Sequence, residues 1–314
     1  MTDIDKLVAE LTLDEKAALT GGIDMWSTAS VPRLGIPSIQ LTDGPNGARG
    51  SRPGPTGPTA TCLPCGSALG ATWDPALVER VGALVGREAR AIGARVLLAP
   101  TVNIHRSPLA GRNFECYSED PLLAGRLAAG YVRGAESQGV ATTVKHFVGN
   151  DAEFERYTIS SEIDERALRE IYLRPFELAV REGGSLGVMT SYNRVNGRWC
   201  TEQRELVAGI LRDEWGFEGF VVTDWFGVAG TLASTDAGVD LEMPGPARAF
   251  GPALAAAVRA GEVAEAVVDA QVTRLLTAFD RIGALGTAEP EPSGDGQSVD
   301  RPEDRALARR AATE

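Results

Sequence analysis

Short apolar runs that stop at polar or charged residues alternate with longer stretches of helical periodicity along most of this chain, and few architectures accept that order. The runs are Pro37 to Leu41, Arg95 to Leu98, Val140 to Val144, Leu186 to Met189, Gly219 to Thr223 and Val239 to Leu241. Apolar runs of this length suit strands covered on both faces, and their alternation with helices marks parallel βα units. Between them, Leu168, Ile171, Tyr172, Phe176, Ala179 and Val180 line one face of a helix expected over Glu165 to Arg181, kinked at Pro175. Thr12-Leu13-Asp14-Glu15 has the spacing of a capping box before a short helix that stops at Gly21-Gly22. Val268, Val272, Leu275, Leu276 and Phe279 mark a further amphipathic helix over Ala264 to Ile282.

Six strand–helix units are legible, and two fainter ones are expected around Gly66 to Thr72 and after Asn103. Eight would close an α/β barrel of the (β/α)8 TIM type or a close variant, and 314 residues with 43% hydrophobic and 24% charged side chains suffice for one. The competing architecture is an open doubly wound sheet. No G-x-G-x-x-G opens a helix after the first strand, however, and no P-loop motif occurs, so nucleotide chemistry has no anchor. Residues 1–286 are assigned to the barrel. A stretch rich in Pro, Gly and acidic residues at 287–299 reads as a linker, and 300–314 as the start of a helix leading to a second domain that is missing. A chain that stops inside an uncapped helix looks cut.

The net charge of −12 disfavours a nucleic-acid backbone or an anionic membrane as partner. No run approaches spanning length, and the first residues lack a basic start followed by an apolar core, so a cytoplasmic location is expected. Cys62, Cys65, Cys116 and Cys200 are sparse, and Cys62-Leu63-Pro64-Cys65 reads as ordinary reduced thiols. With two histidines in the chain and no second close pair of cysteines, no metal or other cofactor is expected.

The polar ends of the strands hold the candidate chemistry, because a barrel of this type keeps its functional groups at the C-terminal ends of its strands. Asp43 ends the first run, before a tight turn at Gly44-Pro45-Asn46-Gly47, where an Asx-turn would also account for it. Arg106, Arg112, Asn113 and Glu115 crowd the long loop after Asn103. Lys145-His146 ends the third run, and a buried lysine beside a histidine is costly without polar partners. Tyr192 and the pair Asp224-Trp225 follow the next two runs. An aspartate after a strand often only caps the next helix. Together, though, these groups converge on one mouth, and carboxylates and cations for hydroxyls beside an aromatic face for C–H surface describe a carbohydrate subsite.

Five segments give that reading a family. Thr42-Asp43-Gly44-Pro45, Gly111-Arg112-Asn113-Phe114-Glu115 with Ser118-Glu119-Asp120-Pro121, Lys145-His146-Phe147, Ser191-Tyr192-Asn193 and Val222-Thr223-Asp224-Trp225 resemble the family 3 glycoside hydrolases, in particular their β-glucosidase branch. The resemblance runs in order from near the start to about Gly286. It implies Asp224 as the nucleophile of a retaining reaction through a covalent glycosyl-enzyme. It implies Asp43, Arg112, Lys145 and His146 as hydroxyl-binding residues, Tyr192 as support for the nucleophile and Trp225 as pocket lining. Asn150, Glu153 and Arg156 resemble a supporting polar cluster. Family members specific for N-acetylhexosamine carry a further histidine in the loop after Lys-His, and this chain has only His105 and His146. Asp43, where xylosidase-like relatives tend to carry Glu, favours a hexose, with β-D-glucose first and galactose behind it.

Retention also needs a second carboxyl group, protonated and roughly 5 Å from the nucleophile. In the resembling β-glucosidases it comes from the domain after the linker, here expected from a missing C-terminal domain or a complementing chain. Glu153, Glu155 and Glu242 are the local substitutes. Two readings stay open: the barrel of a β-glucosidase acting on a β-glucoside or oligosaccharide, or a sugar-binding barrel that kept the subsite without the acid.

Overall fold

The computed structural model describes residues 2–50, 58–286 and 300–314. Five parallel strands form its centre: β1 (Leu41–Asp43), β2 (Val96–Leu98), β3 (Ala141–Phe147), β5 (Gly187–Thr190) and β8 (Phe220–Val222), hydrogen-bonded in the order β1-β2-β3-β5-β8. All seven residues of β3 are buried, as a strand covered on both faces requires. A small separate sheet of β4 (Ser160–Ser161), β6 (Arg194–Val195) and β7 (Arg198–Trp199) decorates the loops after β3 and β5.

The ring closes through the short run at Val239 to Leu241 and a segment near Gly21 that carries no strand-like hydrophobic run. Beyond β8, Val222 bridges Leu241 in parallel and Glu242 bridges Gly21 in parallel. The chain then turns back on itself: Gly22 pairs with Thr28 and Ser27 with Gln40, both antiparallel, and the Leu41 N–H donates to the Trp26 carbonyl at 2.7 Å. The last step into β1 is therefore antiparallel, and the molecule is a variant of the expected barrel rather than eight repeated βα units.

This closure corrects the two fainter units. Gly66–Ala71 is a helix, and the stretch after Asn103 is a loop with a 3-10 turn at Asn113–Glu115. The helix is rich in small residues because it lies directly on that loop: a Cβ added at Gly66 would sit 2.2 Å from the Glu115 carbonyl oxygen. The legible runs are placed, with shifted edges. The first strand is Leu41–Asp43 rather than Pro37 to Leu41, and Val239 to Leu241 pairs only through an isolated bridge.

The helices follow their patterns. Thr12 and Glu15 cap Leu13–Leu19 reciprocally. The expected kink near Pro175 takes a specific form, because proline withholds the N–H that would return to Ile171. A wide π turn over Leu168–Tyr172 precedes Arg174–Arg181, and the Leu173 N–H bonds to the Leu168 carbonyl at 2.8 Å. Glu265–Arg281 buries Val268, Val272, Leu275, Leu276 and Phe279. The proposed linker at 287–299 lies outside the described residues. After it, Pro302–Thr313 is a helix docked on the barrel, with Arg87 and Asp304 2.5 Å apart and Ala311 buried.

Candidate active site

At the C-terminal ends of the strands a cavity of about 310 Å3 is lined by Trp26, Asp43, Arg49, Leu98, Arg112, Lys145, His146, Arg156, Met189, Tyr192, Asp224 and Trp225. The side chains arrive from the ends of all five strands, the loops after them and the closing segment at Trp26, so groups far apart in sequence meet at one place. Leu98 and Met189 supply apolar wall, and nearly every other lining group can donate or accept a hydrogen bond.

Asp43 and Lys145 meet across the ends of β1 and β3, with Nζ 2.6 Å from Oδ1. Gly44 and Gly47, at φ +135° and +143°, reverse the chain after β1 as only glycine does readily, and bring Arg49 back to 3.1 Å from the other carboxylate oxygen. Burial works to raise the Asp43 pKa, but the Lys145 ammonium and then Arg49 outweigh it and hold the carboxyl below its ordinary range.

Arg112 is held by an ion pair with Glu115 and by Glu153 at 3.7 Å, and its Nη2 lies 3.2 Å from His146 Nε2. Glu153 also accepts from Arg156 at 2.8 Å, and the Arg156 guanidinium lies over the Tyr192 ring at 4.9 Å. His146 is buried, and that burial, with Arg112, Lys145 and Arg156 nearby, pushes its pKa well down and keeps the ring neutral.

Asp224 lies two residues beyond the end of β8. Its Oδ1 accepts from the Trp225 N–H at 2.7 Å, and the Tyr192 hydroxyl donates to its carboxylate. Burial raises its pKa against the opposing pull of Lys145, these two donors and Arg112. Trp225 is pinned by its indole N–H to the Met25 carbonyl at 2.9 Å and packs on Trp26 with ring centroids 5.3 Å apart, making an aromatic wall beside the carboxylate.

The structure thus brings together Asp43, Arg112, Lys145, His146, Arg156, Tyr192, Asp224 and Trp225, with Glu153 behind the two arginines. Asn150 is buried but does not line the cavity. Arg106 donates instead to the Tyr172 hydroxyl, and Asn113 to the Ser107 carbonyl at 2.6 Å. Arg49, Trp26 and Asn103 were missed. The double glycine after Asp43 was the available signal for Arg49, whereas Trp26 lies on the antiparallel closing segment, which has no periodicity to announce it. Among the described residues no group of His, Cys, Asp and Glu is arranged to hold a metal, the four cysteines are free thiols, and no helix is long and apolar enough to cross a membrane.

A family model described as the glycosyl hydrolase family 3 N terminal domain matches residues 5–278. A β-glucosidase of Rhizobium radiobacter is 52% identical over 311 residues, which cover 99% of this chain and 38% of that protein. A probable β-glucosidase I of Aspergillus fumigatus is 51% identical over 312 residues, covering 99% and 37%. Among solved structures, the β-glucosidase of Kluyveromyces marxianus in complex with glucose is similar with a TM-score of 0.93 at 40% identity, covering 99% of this chain and 38% of that one. β-Glucosidase 3B of Thermotoga neapolitana in complex with glucose gives 0.90 at 36%, covering 99% and 46%. The chain spans a little over a third of the length of the curated relatives it matches. On a family match that takes in nearly its whole barrel, the chain belongs to glycosyl hydrolase family 3, of which it carries the N-terminal domain.

Proposed function

We propose that this chain is the nucleophile-bearing barrel of a retaining, exo-acting β-glucosidase that releases terminal non-reducing β-D-glucosyl residues. The observation that carries the reading is Asp224, a buried carboxylate held by the Trp225 N–H and Tyr192 beside an aromatic wall, in one cavity with the paired Asp43 and Lys145. In the first step the carboxylate attacks the anomeric carbon as the bond to the leaving oxygen breaks, giving a glycosyl-Asp224 ester. In the second, water gives a proton to the group that protonated the leaving oxygen, attacks the same carbon from the opposite face and releases the carboxylate, so the configuration is retained. Asp43, Arg112, Lys145 and His146 bind hydroxyls, Trp225 meets the C–H face, and Asn150, Glu153 and Arg156 support them.

The proton for the leaving oxygen comes, in this reading, from outside this chain. Among the described residues, Asp43 and Asp224 are the carboxyl groups lining the cavity, and Asp43 is held ionised by Lys145. Glu153 is clasped by two arginines, Glu155 is exposed and does not line the cavity, and Glu242 is buried, accepting from the N–H groups of Arg248, Ala249 and Phe250. The greater length of the relatives, and the exposed Leu109, Phe114, Phe154 and Phe226 on loops after the strands, fit a second domain over the mouth. The same lack of a second carboxyl favours the other reading, a sugar-binding barrel crippled in catalysis.

Intact mass after incubation with a 2-fluoro-glucoside bearing a dinitrophenolate leaving group tests the proposal, because that group departs without a proton donor. A stable added sugar on the Asp224 peptide, absent in Asp224→Ala, is expected. Labelling that persists in Asp224→Ala would refute the nucleophile, and folded wild-type chain that takes no label would favour the crippled barrel.

A further inference from the structure

We propose that Asn103 fixes the tautomer of His146, so that the ring meets a sugar hydroxyl as a hydrogen-bond acceptor and is kept from donating to Asp224. Asn103 is then a positioning residue for the reaction, a role that rests on the glycosidase reading above.

The assignment follows from which groups can donate. Asn103 is buried just beyond the end of β2, on the first residues of the loop that later supplies Arg112. The His146 backbone N–H lies 2.9 Å from one end of its amide, and the His146 carbonyl lies 3.0 Å from the other. A backbone N–H only donates and a carbonyl only accepts, so the first end must be Oδ1 and the second Nδ2. The amide is thus oriented by the backbone of the residue it serves. Its Oδ1 also faces His146 Nδ1 at 3.3 Å. Two lone pairs would repel there, so Nδ1 carries the ring proton. A neutral imidazole has one such proton, which leaves Nε2 bare.

The other side of the ring leads to the same tautomer independently. Arg112 Nη2 lies 3.2 Å from Nε2, and a guanidinium has donors alone, so Nε2 must accept. The consequence falls on the proposed nucleophile, whose Oδ2 is 3.6 Å from Nε2. A proton on Nε2 would turn toward that oxygen and draw charge from it. With Nε2 bare, its one lone pair accepts from Arg112 Nη2, or from a hydroxyl of the bound sugar in exchange for it.

The chain contains only two histidines, which makes the test direct. In protein labelled with 15N-histidine, long-range 1H–15N correlations report which ring nitrogen is protonated, and His105→Gln assigns the signals. His105 serves as an internal standard of the opposite tautomer, because its Nε2 lies 3.0 Å from the Cys116 carbonyl, which can only accept. The expected wild-type spectrum shows His146 protonated on Nδ1 and His105 on Nε2. In Asn103→Ala and Asn103→Ser, where Arg112 alone still disfavours a proton on Nε2, His146 is expected to gain a measurable Nε2-protonated population while His105 stays fixed. The rate of Asp224 labelling by the 2-fluoro-glucoside should fall by about tenfold or more, the size expected when one hydrogen bond in a transition state is mis-set.

Wild-type His146 protonated on Nε2 would overturn the proposal, as would Asn103 variants that leave the tautomer or the labelling rate unchanged. If Asn103→Ala does not fold, the wild-type spectrum and the serine variant still decide. A wild-type chain that takes no label would count against the glycosidase reading, while its tautomers would still answer for Asn103.

Discussion

At the scale of single residues, the site is a set of charges that are tolerable only in one another's company. Lys145 is buried and, among the described residues, Asp43 is the carboxylate it forms an ion pair with, so Asp43→Asn leaves an ammonium facing a weak acceptor at the end of β3. A destabilisation of about 3 kcal/mol is expected, at the low end for a broken buried pair because the cavity admits water to Asp43. Chemical denaturation measures it, and a change under about 0.5 kcal/mol, the range of an ordinary surface substitution, would show that the pair has little structural weight. Asp224 is perturbed the other way. Burial raises its pKa above the ordinary 3.8, and the labelling reaction needs the ionised form. As pH falls, the labelling rate should therefore decline before an ordinary aspartate would titrate, and a decline centred at or below 3.8 would contradict the environment described for it. Of these residues, Asp224 and the Lys145-His146 pair were legible because they end strong apolar runs. Trp26 was not, because nothing in its flanking sequence distinguishes a closing segment from a surface loop.

At the scale of elements, the barrel's other end holds a carboxyl group that the strands share. Glu136, the last residue of the helix Pro121–Glu136, accepts from the N–H groups of Thr142 and Leu186, where β3 and β5 begin, and from the Thr142 hydroxyl. Burial pushes its pKa up to about 7 from 4.5. The native state thus holds a proton that the unfolded chain has already lost, so the stability this group contributes is complete below about pH 4.5 and is lost as pH rises through about 7. Comparing wild type with Glu136→Gln by denaturation from pH 4 to 8, the variant should lack a decline of up to about 3 kcal/mol. Parallel profiles would mean that Glu136 stays ionised in place. The elements themselves were largely readable, since buried strands are continuous apolar runs and helices repeat at 3.6 residues. The misplaced units pack on each other: Gly66–Ala71 is too small-residued to show a face, and its glycines answer to the loop after Asn103 rather than to any strand.

For the whole molecule, the proposal places one catalytic carboxyl inside this chain and the other beyond it, and the two can be separated by leaving group. General acid catalysis contributes on the order of 10² to 10⁴-fold. The isolated chain should therefore react with a dinitrophenyl glucoside while turning over cellobiose more slowly than a longer relative by about that factor. Steady-state kinetics on both substrates check this, and a chain that hydrolyses cellobiose as fast as its longer relatives would show that the acid lies within these residues. What the sequence by itself determined was local: apolar runs, their periodicity and the polar residues that end them, because burial and hydrogen-bond geometry act on neighbours along the chain. Only the tertiary structure decided how the ring closes, through the antiparallel segment at Gly22 and Thr28, and which side chains face inward, such as Trp26 and Arg49. It also set the protonation pattern around His146, because that depends on donors and acceptors that folding alone brings within hydrogen-bond range.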